Sequence, residues 1–314
     1  MIKRTLCFSS PAYLSLHNGQ LRVLLPEVEK RNRGLSAEEQ QSAERMVPLE
    51  DVGVVVLDNQ QITITEGLMA QLIENNTAVI HCDGSHMPSG LLLPLESNTV
   101  QSERFACQLE SSLPLRKQLW AQTVQCKICN QAAVLHHKSG DHCKNMLAWA
   151  DAVKSGDSDN KEAQAAAYYW KGLFASEVPD FTRDQYGMPP NNLLNYGYAI
   201  LRAVVARALV ASGLLPTLGI HHHNRYNAYC LADDIMEPYR PYVDQCVIEC
   251  MGTSPFDFDI TKEQKSCLLT VPVLDVVIGG HRSPLAVAVA QTTASLYKCF
   301  SGELRKISYP EISM

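Results

Sequence analysis

The sequence predicts an α+β protein. A small, β-rich, sandwich-like domain over residues 1–95 is followed by a larger all-α domain over residues 96–314. Three observations predict it. Over the first ~95 residues apolar positions alternate with polar ones, the period of a half-buried strand. From about residue 98 onward they recur three and four apart, the period of an amphipathic helix. The length of 314 residues suits two domains of ordinary size.

The elements follow in order. Tyr13 to His17 and Leu21 to Leu25 flank Asn18-Gly19, a pair that tolerates positive φ and so predicts a tight hairpin. Val54 to Leu57 is a short β-branched run, Ile62 to Thr65 follows after a polar turn, and Ala78 to His81 reads as a further strand. Gly67 to Glu74 has helical spacing. Pro88-Ser-Gly90 and Pro94 then read as the linker between domains. Beyond it, helical spacing runs over Arg116 to His136, Asp141 to Lys154, Asn160 to Ala175, Asn191 to Ser212, Leu231 to Met251, Lys262 to Leu269 and Pro284 to Phe300. Gly213 stands where a glycine stops a helix, and Ser283-Pro284 reads as an N-cap followed by a first-turn proline.

Composition narrows the class. With 46% hydrophobic and 19% charged residues the chain is neither disordered nor a charged tail. The 27 Lys+Arg against 33 Asp+Glu give a net charge of −6, which argues against a uniformly basic nucleic-acid coat. A local basic groove is compatible with it, because binding follows the distribution of charge and not its sum. Eleven cysteines cannot all pair within one chain, and the first residues lack the apolar core of a signal peptide, so a reducing, cytoplasmic setting is expected. No membrane span is expected either: the best candidate, Ile200 to Ile220, is interrupted by Arg202, Arg207 and Pro216.

Three features carry possible chemistry. Glu162 is the only acid between Asn160 and Ala175; it is either a metal ligand or the far half of a capping box with Asp159. The run His221-His222-His223 lies one loop before Asp233, Asp234 and Glu237, which would share a helical face. Imidazole beside carboxylate suits Mg²⁺, Mn²⁺ or Zn²⁺, while the plain alternative is a solvated acidic face near exposed histidines. Cys126 and Cys129 have CxxC spacing, but no second pair lies at zinc-ribbon distance, so packing as small hydrophobes is the stronger reading. No P-loop, Rossmann, esterase-elbow or HExxH signature occurs.

Taken in order, Val52-Gly-Val-Val-Val-Leu-Asp58, Thr77-Ala-Val-Ile-His-Cys-Asp83, Lys127-Ile-Cys-Asn-Gln131, Asn160-Lys-Glu-Ala-Gln-Ala-Ala166, Asn191-Asn-Leu-Leu-Asn-Tyr-Gly-Tyr198, Gly219-Ile-His-His and Leu231-Ala-Asp-Asp-Ile-Met-Glu-Pro-Tyr-Arg-Pro-Tyr-Val-Asp244 resemble the CRISPR-associated spacer-acquisition integrase, the "Cas one" family. The resemblance covers nearly the whole chain and is greatest to the type II branch. It implies Glu162, His222 and Glu237 as catalytic metal ligands, with Asp234 completing the shell directly or through water. His222 is taken because it stands fifteen residues before Glu237; the triple histidine departs from the usual pair.

The resemblance further implies Mg²⁺ or Mn²⁺ as cofactor. It implies joining of a DNA 3′-hydroxyl to a phosphodiester of the CRISPR repeat by transesterification, a reaction that needs a Lewis acid but no Ser, Cys or Tyr nucleophile. The partners implied are double-stranded DNA (spacer precursor and repeat), a second copy of the chain through the β domain, and the small "Cas two" protein in a heterohexamer. Arg240 matches a basic, phosphate-contacting position, and Arg104, Arg116, Lys117 and Lys127 are further candidates for DNA contact. Two alternatives from other classes are a stand-alone metal-dependent nuclease or phosphoesterase, and a non-catalytic DNA-binding scaffold.

Overall fold

The computed structural model describes residues 3–26, 44–96, 98–140, 142–251 and 257–314. The chain divides into two compact units, residues 1–97 and 98–314.

In the first unit, two four-stranded sheets enclose one core. One sheet has the order β1 (Arg4–Phe8), β5 (Val52–Leu57), β7 (Ala78–Cys82), β8 (Pro88–Leu92). Its first three strands run parallel, and β8 returns antiparallel. The other has the order β4 (Arg45–Pro48), β3 (Gln20–Leu24), β2 (Tyr13–His17), β6 (Thr63–Ile64). Asn18 and Gly19 take φ of 48° and 72°, so the hairpin joining β2 to β3 forms where the dipeptide predicts it. Helix α1 (Glu66–Glu74) inserts Leu68 and Leu72 among Leu14, Leu21, Val52, Val55 and Val79, and this burial ties both sheets to one core.

Of the segment expected to be a linker, Pro88-Ser-Gly90 lies in strand β8, and Pro94 follows the strand's end at Leu92. Pro88 is the strand's first residue, where a missing N–H is tolerated, and Gly90 pairs with His81 at the sheet edge. Turn-forming residues here start an edge strand and do not end the domain.

The second unit is mainly helical: α2 (Gln101–Leu109), α3 (Leu113–Ser139), α4 (Lys144–Asp151), α5 (Lys161–Leu173), α6 (Asn191–Ala211), α7 (Cys230–Met236), α8 (Arg240–Met251), α9 (Lys262–Leu268) and α10 (Leu285–Phe300). Asp141, the expected start of α4, lies outside the described residues. The expectation of an all-α domain is corrected by a three-stranded sheet of order β10 (His281–Pro284), β9 (Asp275–Ile278), β11 (Pro310–Glu311). Gly279 and Gly280, at φ 57° and 78°, make its turn. Ser283 and Pro284 therefore close a strand, and α10 begins one residue later without a serine cap.

The long helix α6 is the centre of this unit. It has the length and apolarity to cross a membrane, but 72% of its most apolar window is buried by its own neighbours, as for a core helix. It stops at Gly213, whose φ is 67°. Where α8 crosses it, a Cβ on Gly197 would come within 2.5 Å of the Val243 side chain, so the two helices meet at a distance that glycine permits. The helix expected from Leu231 to Met251 is broken by a 3₁₀ turn at Glu237–Tyr239, because Pro238 lacks the N–H needed to continue the α pattern.

Candidate active site

The 27-residue helix α3 is the wall on which the site is assembled. It starts at Ser112, whose hydroxyl accepts from Leu115 N at 3.3 Å, and ends at Gly140 with φ 74°. Along one side it presents Trp120, Lys127 and Asn130. Trp120 is fully buried, and the His221 ring stacks on it with centroids 4.1 Å apart and planes within 3°. His222 meets the same indole edge-on at 5.6 Å. Asn130 donates to Pro238 O at 2.8 Å and to Pro310 O at 3.0 Å, pinning the turn that carries Glu237.

Glu162 enters from α5. The capping box expected from Asp159 is not formed. Asp157 caps this helix instead, its two carboxylate oxygens accepting from Lys161 N at 2.8 Å and Glu162 N at 3.0 Å. Asp159 faces Lys154 at 2.7 Å near the surface. Because Asp157 already satisfies the first N–H groups, the Glu162 carboxylate is released from capping and faces inward.

The acids after the histidine run do not form a solvated face. Asp233, Asp234 and Glu237 are all buried, and each has a different neutralising partner. Asp233 accepts from Arg202 Nε at 2.6 Å and Asn227 at 2.7 Å. Asp234 holds His222, accepting from its Nδ1 at 2.5 Å and its backbone N at 3.2 Å, while the second oxygen takes His221 N at 2.9 Å. Gly219 permits this close turn: a Cβ there would lie 2.4 Å from His222 O and 2.7 Å from Asp234 Oδ2. Glu237 accepts from Arg240 Nε at 2.9 Å.

Lys127 closes the arrangement. Its Nζ lies 2.6 Å from Glu162 Oε1 and 2.6 Å from Glu237 Oε2, so oxygens from two helices face one cation and lie no more than twice that distance apart. The contact with Glu237 is ionic and off the hydrogen-bonding direction, which leaves Oε2 buried without a hydrogen-bond donor. Burial opposes the ammonium, yet Glu237 and Glu162 raise the Lys127 pKa above its ordinary value. Burial likewise opposes the Glu237 carboxylate, but Arg240 and Lys127 outweigh it and lower that pKa to about 2. The His222 pKa is raised, first by its hydrogen bond to Asp234, while desolvation lowers that of His221.

Of the residues expected to form the site, Glu162 and Glu237 are thus brought to one point, and Asp234 and His222 form a pair beside them. Among the described residues, no three His, Cys, Asp or Glu side chains surround one point closely enough to hold a metal ion directly. The donor chemistry nonetheless fits a hard divalent ion: two carboxylates already share a cation's place, and one of their oxygens lacks a donor. With Nδ1 bonded to Asp234, the His222 imidazole has its Nε2 lone pair available in the neutral form.

The five basic residues expected to meet DNA fall into two groups. Arg104 donates to Ser212 O at 2.8 Å and lies 4.2 Å above the Tyr297 ring; Lys127 and Arg240 are ion-paired inside the site. Arg116 is half-buried and Lys117 exposed. Arg116 lines a cavity of about 380 Å³ that reaches His222, together with His223, Asn224, Arg225 and Asn227. Of the CxxC thiols, Cys126 donates to Pro310 O at 3.4 Å, and burial pushes its pKa up. None of the eleven cysteines forms a disulfide.

Sequence reasoning missed Asp157, Trp120 and the pairing role of Lys127. It also missed a buried network behind the site, in which Tyr169 and Tyr198 donate to Asp244 at 2.8 and 2.5 Å. Arg240 lies 4.5 Å above the Tyr198 ring, which links this network to Glu237. Pairing of aromatic hydroxyls with Asp244 leaves no local spacing signal, because the partners come from three helices.

Comparison with known proteins places this chain and its fold in a class. The model of the CRISPR associated protein Cas1 matches residues 25–279, and the chain belongs to the Cas1 family of CRISPR-associated endonucleases. Over 314 residues it is 36% identical to the CRISPR-associated endonuclease Cas1 of Neisseria meningitidis serogroup C, covering 99% of this chain and 97% of that one. A second relative, named Cas1 2, from Pyrobaculum aerophilum is 27% identical over 86% of this chain and 94% of its own. The fold is shared with a casposase bound to integration product (TM-score 0.75, 20% identity, 98% of this chain and 92% of that one). It is shared also with a Cas1 protein from Thermotoga maritima (TM-score 0.68, 15% identity, 95% and 97%). In a Cas6-RT-Cas1–Cas2 complex it matches 36% of a longer chain (TM-score 0.71, 18% identity, 97% of this chain).

Proposed function

We propose that this chain is the metal-dependent DNA integrase of CRISPR adaptation, with Glu162, His222 and Glu237 as the residues that hold Mg²⁺ or Mn²⁺ and Asp234 as the group that orients His222. The observation that carries the reading is the convergence of Glu162 and Glu237, from different helices, on one buried cation position. When bound, such an ion polarises a phosphoryl oxygen and lowers the pKa of an attacking hydroxyl. The chain's own groups do the rest. Asp234 fixes the tautomer and direction of the imidazole, Arg240 keeps Glu237 ionised, and the stack of His221 on Trp120 holds the loop in place. Arg116, Arg225, Asn224 and Asn227 line the cavity beside His222 with hydrogen-bond donors suited to a nucleotide backbone.

Strand joining in place of hydrolysis is supported by the likeness to the casposase and to Cas1 chains studied with Cas2 and with DNA. The same likeness supports DNA and Cas2 as partners, and the working assembly proposed with them is a homodimer on double-stranded DNA within a heterohexamer. The motif spacing supports the type II branch, and the uncrosslinked cysteines suit the cytoplasm.

The test is a strand-transfer assay in which a short duplex with free 3′-hydroxyls is joined to a supercoiled plasmid carrying the repeat. Glu162→Gln removes charge at constant shape, and its product is expected to fall at least 100-fold in Mg²⁺ or Mn²⁺. Joining at the wild-type rate by this variant overturns the assignment, and nicking without joining by the wild type reduces it to a nuclease.

A further inference from the structure

Lys127 is an odd residue to find where it is. Its side chain is 12% exposed, and its ammonium sits 2.6 Å from one oxygen of each of the two carboxylates that the functional reading assigns to a metal. Two carboxylates so close repel unless a cation lies between them. An ammonium is a compact point charge on a flexible four-carbon stem, so it can fill such a place and also leave it. Arg240 is held differently: it is tied to Glu237 through Nε, and its guanidinium carbon lies 4.5 Å above the Tyr198 ring.

We infer that Lys127 is a built-in counter-ion that occupies the divalent-metal position in the unloaded protein and is displaced when the metal binds. This rests on the metal reading above and adds to it a role for Lys127 other than contacting DNA. The lysine holds the Glu162 and Glu237 carboxylates adjacent before loading, so the ligands are in place at the moment of metal entry. It also weakens the metal, because every binding event must first displace an ammonium. Its removal therefore has a distinctive signature: the unloaded protein is destabilised, yet metal binds more tightly. A lysine that merely contacted phosphate, or merely packed, would not shift metal affinity upward.

The experiment compares the full-length wild type with Lys127→Met, which keeps the stem and removes the charge. Mn²⁺ binding is measured without DNA by paramagnetic resonance of free Mn²⁺ and by calorimetry, and thermal melting is followed with and without the ion. Mn²⁺ affinity at least tenfold higher in Lys127→Met, with a lower melting temperature in chelator and a larger rise on adding Mn²⁺, supports the inference. So does a variant that folds only when Mn²⁺ is supplied. Equal or weaker Mn²⁺ affinity overturns it while leaving the metal site standing, as does a variant that fails to fold whether or not Mn²⁺ is present. If wild type and variant both bind no Mn²⁺ at millimolar concentration, the metal reading itself falls and the inference with it. Glu162→Gln in both backgrounds tells these cases apart, since it lowers affinity wherever the site is real.

Discussion

Replacing Asp157 tests how Glu162 is presented. The carboxylate of Asp157 accepts from two backbone N–H groups at the start of α5, and its own φ is +51°, in the left-handed region. Ala at this position loses both bonds, a cap worth roughly 1–2 kcal/mol, and holds a left-handed backbone that costs about 1–2 kcal/mol more for a residue with a plain Cβ. The expected loss is about 2–4 kcal/mol, which for a unit of residues 98–314 lowers Tm by roughly 5–15 °C. Asn keeps one acceptor and tolerates the left-handed region, so Asp157→Asn is expected to lose less than half as much. Asp159→Ala removes only a surface contact and is expected to leave Tm within about 2 °C. Calorimetric melts of the three variants decide the matter. A large loss in Asp159→Ala with a small one in Asp157→Ala would restore the capping box and return Glu162 to a structural role.

Two further outcomes follow from the histidine loop. The His222 imidazole is expected to titrate above 6.5 in a two-dimensional NMR titration, and Asp234→Asn to bring it down. Because the folded-state value is raised, the stability from His222–Asp234 is present below pH 6.5 and is lost as pH rises through the raised value. The stability gap between wild type and Asp234→Asn should therefore narrow from pH 5 to pH 8 in urea melts, and a gap that widens contradicts the pairing. Gly219→Ala places a Cβ 2.4 Å from His222 O and must move the loop, so strand transfer is expected to fall about 10²-fold, the usual result of a displacement near 1 Å. Activity within twofold of wild type would show that His222 needs no such placement.

Much of this fold can be read where a residue type has one physical use. Asn18-Gly19 makes a hairpin, and Gly213 ends a helix. Reading fails where one residue type has two uses. Pro88 and Gly90 look like a linker and begin an edge strand. Asp157 and Asp159 both stand before α5, and only a left-handed backbone at Asp157 selects the first as the cap. The strands of the second unit are two to four residues long, too short for any period to emerge. At the site, the acids were legible as a metal-type set but not as buried groups with separate partners. That depends on Arg202 and Lys127, which reach Asp233 and Glu237 from distant parts of the chain, and on Arg240, one turn beyond Glu237.

Helix α3 carries the indole beneath the histidine loop, the ammonium between the two glutamates and the amide under the Glu237 turn, all on one side of its axis. One residue added or removed between Trp120 and Asn130 would rotate everything downstream by about 100° relative to what lies upstream. No local repair could restore the alignment. Drift in loop length can be absorbed at the rim of such a site, whereas the phase of this rod is a discrete quantity, and a lineage that keeps the site must keep its count.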